Sequence, residues 1–237
     1  MARTFDDVDD NITVPDSALF NIPANTGFTV ACWAKSSASA TSRRCYSQQG
    51  VGGYIVLGTT GTGTGRFQIS DGTTDGTAVG GSSILDGVWH HLCGVRETDG
   101  TTRMFVDGVE VGSDATGPTG SIAIASDVQF SDTVRPERWP GEIAEVMYWN
   151  NTRLSDAKIL ALARRAGRRT IGEQPTGYWP LFGTGSPEPD YSGNSLNGTV
   201  TGAVVAAHAP IAPPFGFDLG WMGAFAAAAA RPMFRGS

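Results

Sequence analysis

Leu85–Gly112 reads LDGVWHHLCGVRETDGTTRMFVDGVEVG. Two runs of alternating apolar and polar residues flank Glu97–Thr102, and a second turn, Val106-Asp107-Gly108-Val109, follows a few residues later. An Asp-Gly pair between β-branched residues favours a tight hairpin, because the turn needs positive φ and those residues tolerate it. The stretch therefore reads as a three-stranded antiparallel meander.

Working outward, Phe28–Lys35 (FTVACWAK) places Phe28, Val30, Cys32 and Ala34 on one face of a strand and Thr29, Ala31 and Trp33 on the other. Tyr54–Leu57 and Arg66–Ser70 read as two further strands joined by GTTGTGTG. No helical pattern follows that Gly/Thr run, so it reads as a hairpin connection and not as a phosphate cradle. Ser36–Gly53 reads as a polar loop or irregular strand. One helix is signalled over Ser155–Ala166: Ser155 suits the N-cap, Leu154 and Ile159 form a hydrophobic staple, and Gly167 can end it. Arg164, Arg165, Arg168 and Arg169 complement its dipole. With 237 residues, 32 Gly, 13 Pro and only 17% charged residues, the composition suits one all-β domain with many tight turns. A net charge of −6 gives no field for drawing in nucleic acid.

The pattern DG.WHH…FVDG..V resembles the central signature of laminin-G-like, pentraxin-like and concanavalin A-like jelly rolls. Thr4–Phe20 (TFDDVDDNITVPDSALF) resembles the opening strand of that family, FTVACWAK another of its strands, and Gly141–Leu162 its closing strand and short helix. Gly177–Ala203 (GYWPLFGTGSPEPDYSGNSLNGTVTGA) resembles the piece that usually opens such domains, yet here it follows the helix. The resemblance implies an all-β antiparallel sandwich, circularly permuted, with one short helix. The domain would span residues 1–207, completed by a late strand from 177–203, with an extended arm over 208–237. It also implies that Cys32 and Cys93 lie where pentraxin-like proteins carry a cross-strand disulfide; two reduced, buried thiols are the other reading, and Cys45 has no evident partner.

The family contains glycosidases, which need paired carboxylates across a cleft. No E-x-D-x-x-E arrangement occurs, and Glu142 and Glu145, three apart on a strand, are expected on opposite sides. His90, His91 and His208 accompany no G-x-S-x-G elbow, and no Cys/His spacing suits zinc. An enzyme is therefore not expected. The glycan- or surface-binding candidates are Asp71, Asp75, Asp127 and Asp132 in turn-rich loops, with Trp139 to stack on a sugar or to pack beneath its loop. Resemblance to calcium-binding relatives makes the same carboxylates, Asp71 and Asp75 foremost, Ca²⁺ candidates; the other reading is ordinary turn residues, and no other cofactor is expected.

From Val204 the chain reads VVAAHAPIAPPFGFDLGWMGAFAAAAARPMFRGS, apolar but without a strand or helix period. Phe215, Phe217, Trp221 and Phe225 would anchor such an arm on a surface. MARTFDDVDD is acidic and lacks the apolar core of a secretory signal, and Leu219–Ala230 is shorter than the roughly 20 residues a bilayer requires. The late segment also resembles tails of phage-encoded laminin-G-like proteins. The leading expectation is thus a non-catalytic virion structural protein of a tailed bacteriophage, made in the host cytoplasm and serving as a capsid decoration or other particle-surface protein. Its partners would be major capsid or tail proteins, copies of itself and host-surface glycans, with no nucleic acid and no membrane. The alternative is a lectin-like glycan-binding module of a bacterial surface or secreted protein.

Overall fold

A computed structural model describes residues 1–132, 135, 137–164 and 171–209. Its strands are β1 (Ala2–Asp6), β2 (Asn11–Val14), β3 (Phe28–Lys35), β4 (Arg43–Gly50), β5 (Gly53–Thr59), β6 (Thr64–Ser70), β7 (Asp75–Ser83), β8 (Trp89–Arg96), β9 (Thr102–Val106), β10 (Val109–Asp114), β11 (Val128–Phe130), β12 (Pro140–Trp149), β13 (Gly177–Trp179), β14 (Thr199–Thr201) and β15 (Val204–Ala206). A 3-10 turn covers Ala18–Phe20, and α1 spans Asp156–Ala163. All strand pairings are antiparallel and form two sheets. Sheet A runs β10-β9-β8-β3-β12-β1-β15, with β13 also on β12, and sheet B runs β14-β2-β11-β4-β5-β6-β7.

The predicted meander is β8-β9-β10. Asp107 and Gly108 at its second turn take φ of 51° and 80°, which is why Asp and Gly stand there. Strand period then sorts the side chains. Phe28, Val30, Cys32 and Ala34 enter the core between the sheets, while Ala31 and Trp33 join clusters on the outer side of sheet A. An aromatic chain fills the core: Phe20 meets Tyr148 edge-on at 5.3 Å, Phe130 meets Trp179 at 5.1 Å, and Phe28 lies 5.0 Å from Tyr148. The Tyr148 hydroxyl donates to the Phe20 carbonyl at 2.8 Å, so its burial leaves no donor unsatisfied.

The N-terminal and late segments share this framework. β1 pairs with Pro140–Ile143 of β12 and β13 with Val146–Tyr148, so the two strands follow one another along the same strand. β14 pairs with β2 and β15 with β1. The buried Arg3 on β1 meets the buried Glu188 of the late segment at 2.9 Å and donates to the carbonyls of Ala203 and Gly185.

Two expectations need correction, and a third resolves to one of its two readings. Ser36–Gly53 contains β4, an irregular and largely buried strand at the centre of sheet B. Its outward residues are polar and a bulge between Arg44 and Tyr46 breaks the alternation, so it looks like a loop. The helix has the expected N-cap, Ser155 Oγ accepting from the Lys158 N–H, and the Leu154/Ile159 pair is buried, but the described helix ends at Ala163. Arg165, Ala166, Gly167, Arg168 and Arg169 lie outside the described residues. A Cys32–Cys93 bridge is incompatible with the register: Cys93 stands opposite Ala31, and Cys32 opposite Leu92. Cys32 therefore points into the core and Cys93 into the cluster under α1, on opposite sides of sheet A.

α1 and that cluster, formed by Ala31, Cys93, Val95, Phe105, Met147 and Trp149 with Leu154, Ile159 and Leu162, cover part of the outer side of sheet A. A second patch of Ala2, Trp33, Ala144 and Ala209 covers more of it.

Candidate functional site

The motif residues that carry the resemblance form a structural clasp. The His90 ring nitrogens lie 2.7 Å from Asp107 and 3.2 Å from Asp86, while the backbone N–H of His91 donates to Asp107 at 2.9 Å. The two Asp-Gly turns are thus tied together by the histidine between them. His91 is buried with its ring 5.5 Å from that of Trp33. The two histidines should titrate in opposite directions. The hydrogen bond to Asp107 outweighs burial and raises the pKa of His90, whereas burial lowers that of His91 to about 4. In a proton NMR titration, the His91 ring signals should stay at their neutral positions until pH approaches 4, and those of His90 should move above pH 6.5. Linkage gives the matching signs: stability held by neutral His91 is lost as pH falls from 6.5 through 4, and stability held by protonated His90 is lost as pH rises through its raised pKa. A His91 midpoint near 6.5 would show that the ring is not enclosed.

Sheet B, in contrast, presents a polar outer face. Because β-strand side chains alternate, register aligns the outward residues in rows across the strands. One row crosses all seven: Thr199, Thr13, Gln129, Ser47, Val56, Gln68 and Thr77. The next holds Gln49, Tyr54, Ser70 and Asp75. Ser47, Gln49, Ser126, Asp127, Gln129 and Asp132 line a depression of about 330 Å³. A neighbouring one of about 290 Å³ is lined by Gln49, Gly50, Gly53, Tyr54 and Arg135, so Gln49 belongs to both.

Beside this groove, on the same face, is an ionic cluster. Buried Asp132 accepts from Arg44 at 2.9 Å and from the Gln49 amide at 3.1 Å, and Arg135 Nε donates to Gln49 Oε1 at 3.0 Å. Glu137 pairs with Arg44 and, at 2.9 Å, with Arg66; burial opposes its ionisation, but the two guanidinium groups outweigh it and lower its pKa. The Gln49 side chain is thus held from both ends. Burial, with Asp75 adding to it, pushes the Tyr54 pKa up to about 12, so Tyr54 remains a neutral phenol. The arrangement can offer amide, hydroxyl, guanidinium and carboxylate groups to a polar, uncharged ligand.

The sequence candidates divide accordingly. Asp127 lines the groove and accepts from the Asp16 N–H at 3.0 Å. Asp132 also lines it but acts through Gln49 and Arg44, and Asp75 lies in the row with Tyr54. Asp71 closes its own turn, accepting from the N–H groups of Thr73, Thr74 and Gly120. Trp139 is fully buried, and its indole N–H donates to the Lys35 carbonyl at 3.2 Å, which corrects its place among stacking candidates. Among the described residues, the three carboxylates that approach one another closely enough to share an ion are Asp6, Asp9 and Asp10; the four predicted aspartates are not among them. Phe215, Phe217, Trp221 and Phe225 lie outside the described residues. Gln49, Gln129, Ser47 and Tyr54 were not singled out in the sequence, since register alone aligns them.

Residues 6–159 match the family model described as concanavalin A-like lectin/glucanases superfamily. The chain belongs to that superfamily. A sequence search of curated proteins finds no match. Among solved structures, this laminin-G-like chain resembles the native heptameric SAP-like pentraxin of Limulus polyphemus, with a TM-score of 0.50 and 19% identity over 70% of this chain and 86% of that one. It resembles a Bacteroides ovatus protein provisionally described as carbohydrate binding, with a TM-score of 0.66 and 16% identity over 89% of this chain. The match spans 61% of the Bacteroides protein. The third is the CBM40 of the Ruminococcus gnavus IT-sialidase bound to α2,3 sialyllactose, with a TM-score of 0.54 and 12% identity over 68% of this chain and 96% of that one. At such identities the likeness concerns the fold of the laminin-G-like domain, and the groove must be judged on its own chemistry.

Proposed function

We propose that the chain is a non-catalytic, lectin-like glycan-binding module whose site is the groove over Ser47, Gln49, Gln129 and Asp127. The observation that carries this reading is the row of outward side chains across sheet B, polar at every position but Val56, leading into a groove whose Gln49 is fixed by Asp132 and Arg135. A sugar presents closely spaced hydroxyl groups. Gln amides and Ser, Thr and Tyr hydroxyls supply the mixed donors and acceptors that such a ligand matches. Holding them in place beforehand reduces the ordering cost of binding. No hydrolysis is expected, because Glu142 pairs with Lys35 at 2.9 Å and Glu145 is buried against the Tyr178 hydroxyl and His208.

The intact protein should bind members of a glycan panel, with calorimetry giving the affinity of the best. Gln49→Ala and Asp127→Ala should each weaken that affinity about tenfold, near 1.4 kcal/mol, while each variant still unfolds in a single cooperative transition. Glu110→Gln on the other sheet should leave binding unchanged. A panel with no binder, or affinity indifferent to both groove substitutions, would refute the reading. The virion reading rests on the arm over 208–237 and on the resemblance to tails of phage-encoded laminin-G-like proteins; residues 210–237 lie outside the described residues, His208 and Ala209 pack against Glu145 and the Trp33 patch of sheet A, and no feature of the fold or groove favours it.

A further inference from the structure

We propose that Cys32 and Cys45 are a disulfide pair that joins the two sheets through the core. Their sulfur atoms lie 3.3 Å apart, both residues have no exposed surface, and they come from β3 of sheet A and β4 of sheet B. Two features aim them at each other. Cys32 is on the inward face of β3. Cys45 occupies the position that the register skips between Arg44 and Tyr46, so the bulge turns its side chain inward beside Tyr46. The Cys45 thiol otherwise donates only to the Leu57 carbonyl at 3.1 Å, and a bulged residue can shift more readily than a regularly paired one when the sulfur atoms close to about 2.05 Å. Cys93 is excluded, because its side chain leaves the opposite face of sheet A.

Once the sandwich has closed, neither thiol can meet an oxidant, and burial raises the pKa of Cys32 far above its ordinary value, which suppresses the attacking thiolate. The bond must therefore form while the chain folds. One cysteine thiolate attacks glutathione disulfide, forming a mixed disulfide and releasing one glutathione thiolate. The second cysteine then attacks the protein sulfur of that mixed disulfide and releases the second glutathione. The two cysteine protons pass to the released thiolates, and two cysteine thiols are oxidised as one glutathione disulfide is reduced to two glutathione molecules.

The test is to denature and reduce the full chain, then refold it either in a mixture of oxidised and reduced glutathione or in dithiothreitol. After oxidative refolding, thiol titration in denaturant should find one thiol per chain, and peptide mapping should place it at Cys93 and link Cys32 to Cys45. The oxidised form should melt roughly 5–10 °C above the reduced one, from the short loop that the bond closes. Cys93→Ser should keep the bond and the shift, while Cys45→Ala should abolish both yet still fold under reducing conditions. Three free thiols after oxidative refolding, or a link that includes Cys93, would overturn the proposal.

Discussion

Glu188→Ala is expected to cost about 3–5 kcal/mol, because it leaves the Arg3 guanidinium buried without its carboxylate. Arg3 and Glu188 are only 3% and 0% exposed, so water cannot take the missing partner's place. The same change removes the acceptor of the Gly183 N–H. The melting temperature should fall by roughly 10 °C or more, and Arg3→Ala should act similarly. The double variant Arg3→Met, Glu188→Leu should recover most of the loss, since an apolar pair of similar volume needs no charge compensation. An unchanged melting temperature in Glu188→Ala would mean that the late segment does not stabilise the sandwich.

Trp179→Ala should be as damaging for a different reason. The ring is fully buried, stacked 6.5 Å from Phe20 and set edge-on to Phe130 at 5.1 Å, so truncation leaves a cavity walled by rigid aromatics that cannot collapse into it. Its indole N–H also donates to the Leu196 carbonyl at 2.6 Å. A loss of about 3–5 kcal/mol is expected, read as a lower urea midpoint with an unchanged slope. Trp179→Phe, which keeps most of the contact area but orphans that carbonyl, should lose less than half as much. A stability loss under about 1 kcal/mol for Trp179→Ala would place the ring outside the cooperative core.

The parts of this fold that could be read from sequence are those in which one residue has one local meaning. Asp107-Gly108 announces a turn because its backbone needs positive φ, and in FTVACWAK the period of two separates Phe28, Val30, Cys32 and Ala34 from Thr29, Ala31 and Trp33. β4 was hidden by the same logic: Cys45 and Tyr46 both point inward across a bulge, so the period of two fails where the strand is most buried. The groove was hidden more deeply. Ser47, Val56, Gln68, Gln129 and Thr13 come from five strands, and only hydrogen-bonded register sets them in a row. Trp139 left two readings open because a tryptophan between charged residues and proline can face either way, and the chain takes the packed one, folding it inward to reach Lys35. Cys45 lacked a visible partner because the bulge that turns it toward Cys32 leaves no mark in sequence spacing.

The two outer faces of the sandwich are unequal: among the described residues, helix and terminal residues bury apolar clusters on sheet A, while sheet B carries polar rows and the groove. On the reading proposed above, each chain is then monovalent and grips a sugar through one shallow contact, so a single encounter should be brief. Retention on a surface would depend on how many copies are presented side by side. Two tethered chains whose grooves can reach neighbouring sugars would gain on the order of 10²–10⁴ in avidity with no new contact, provided the linker spans the distance between them.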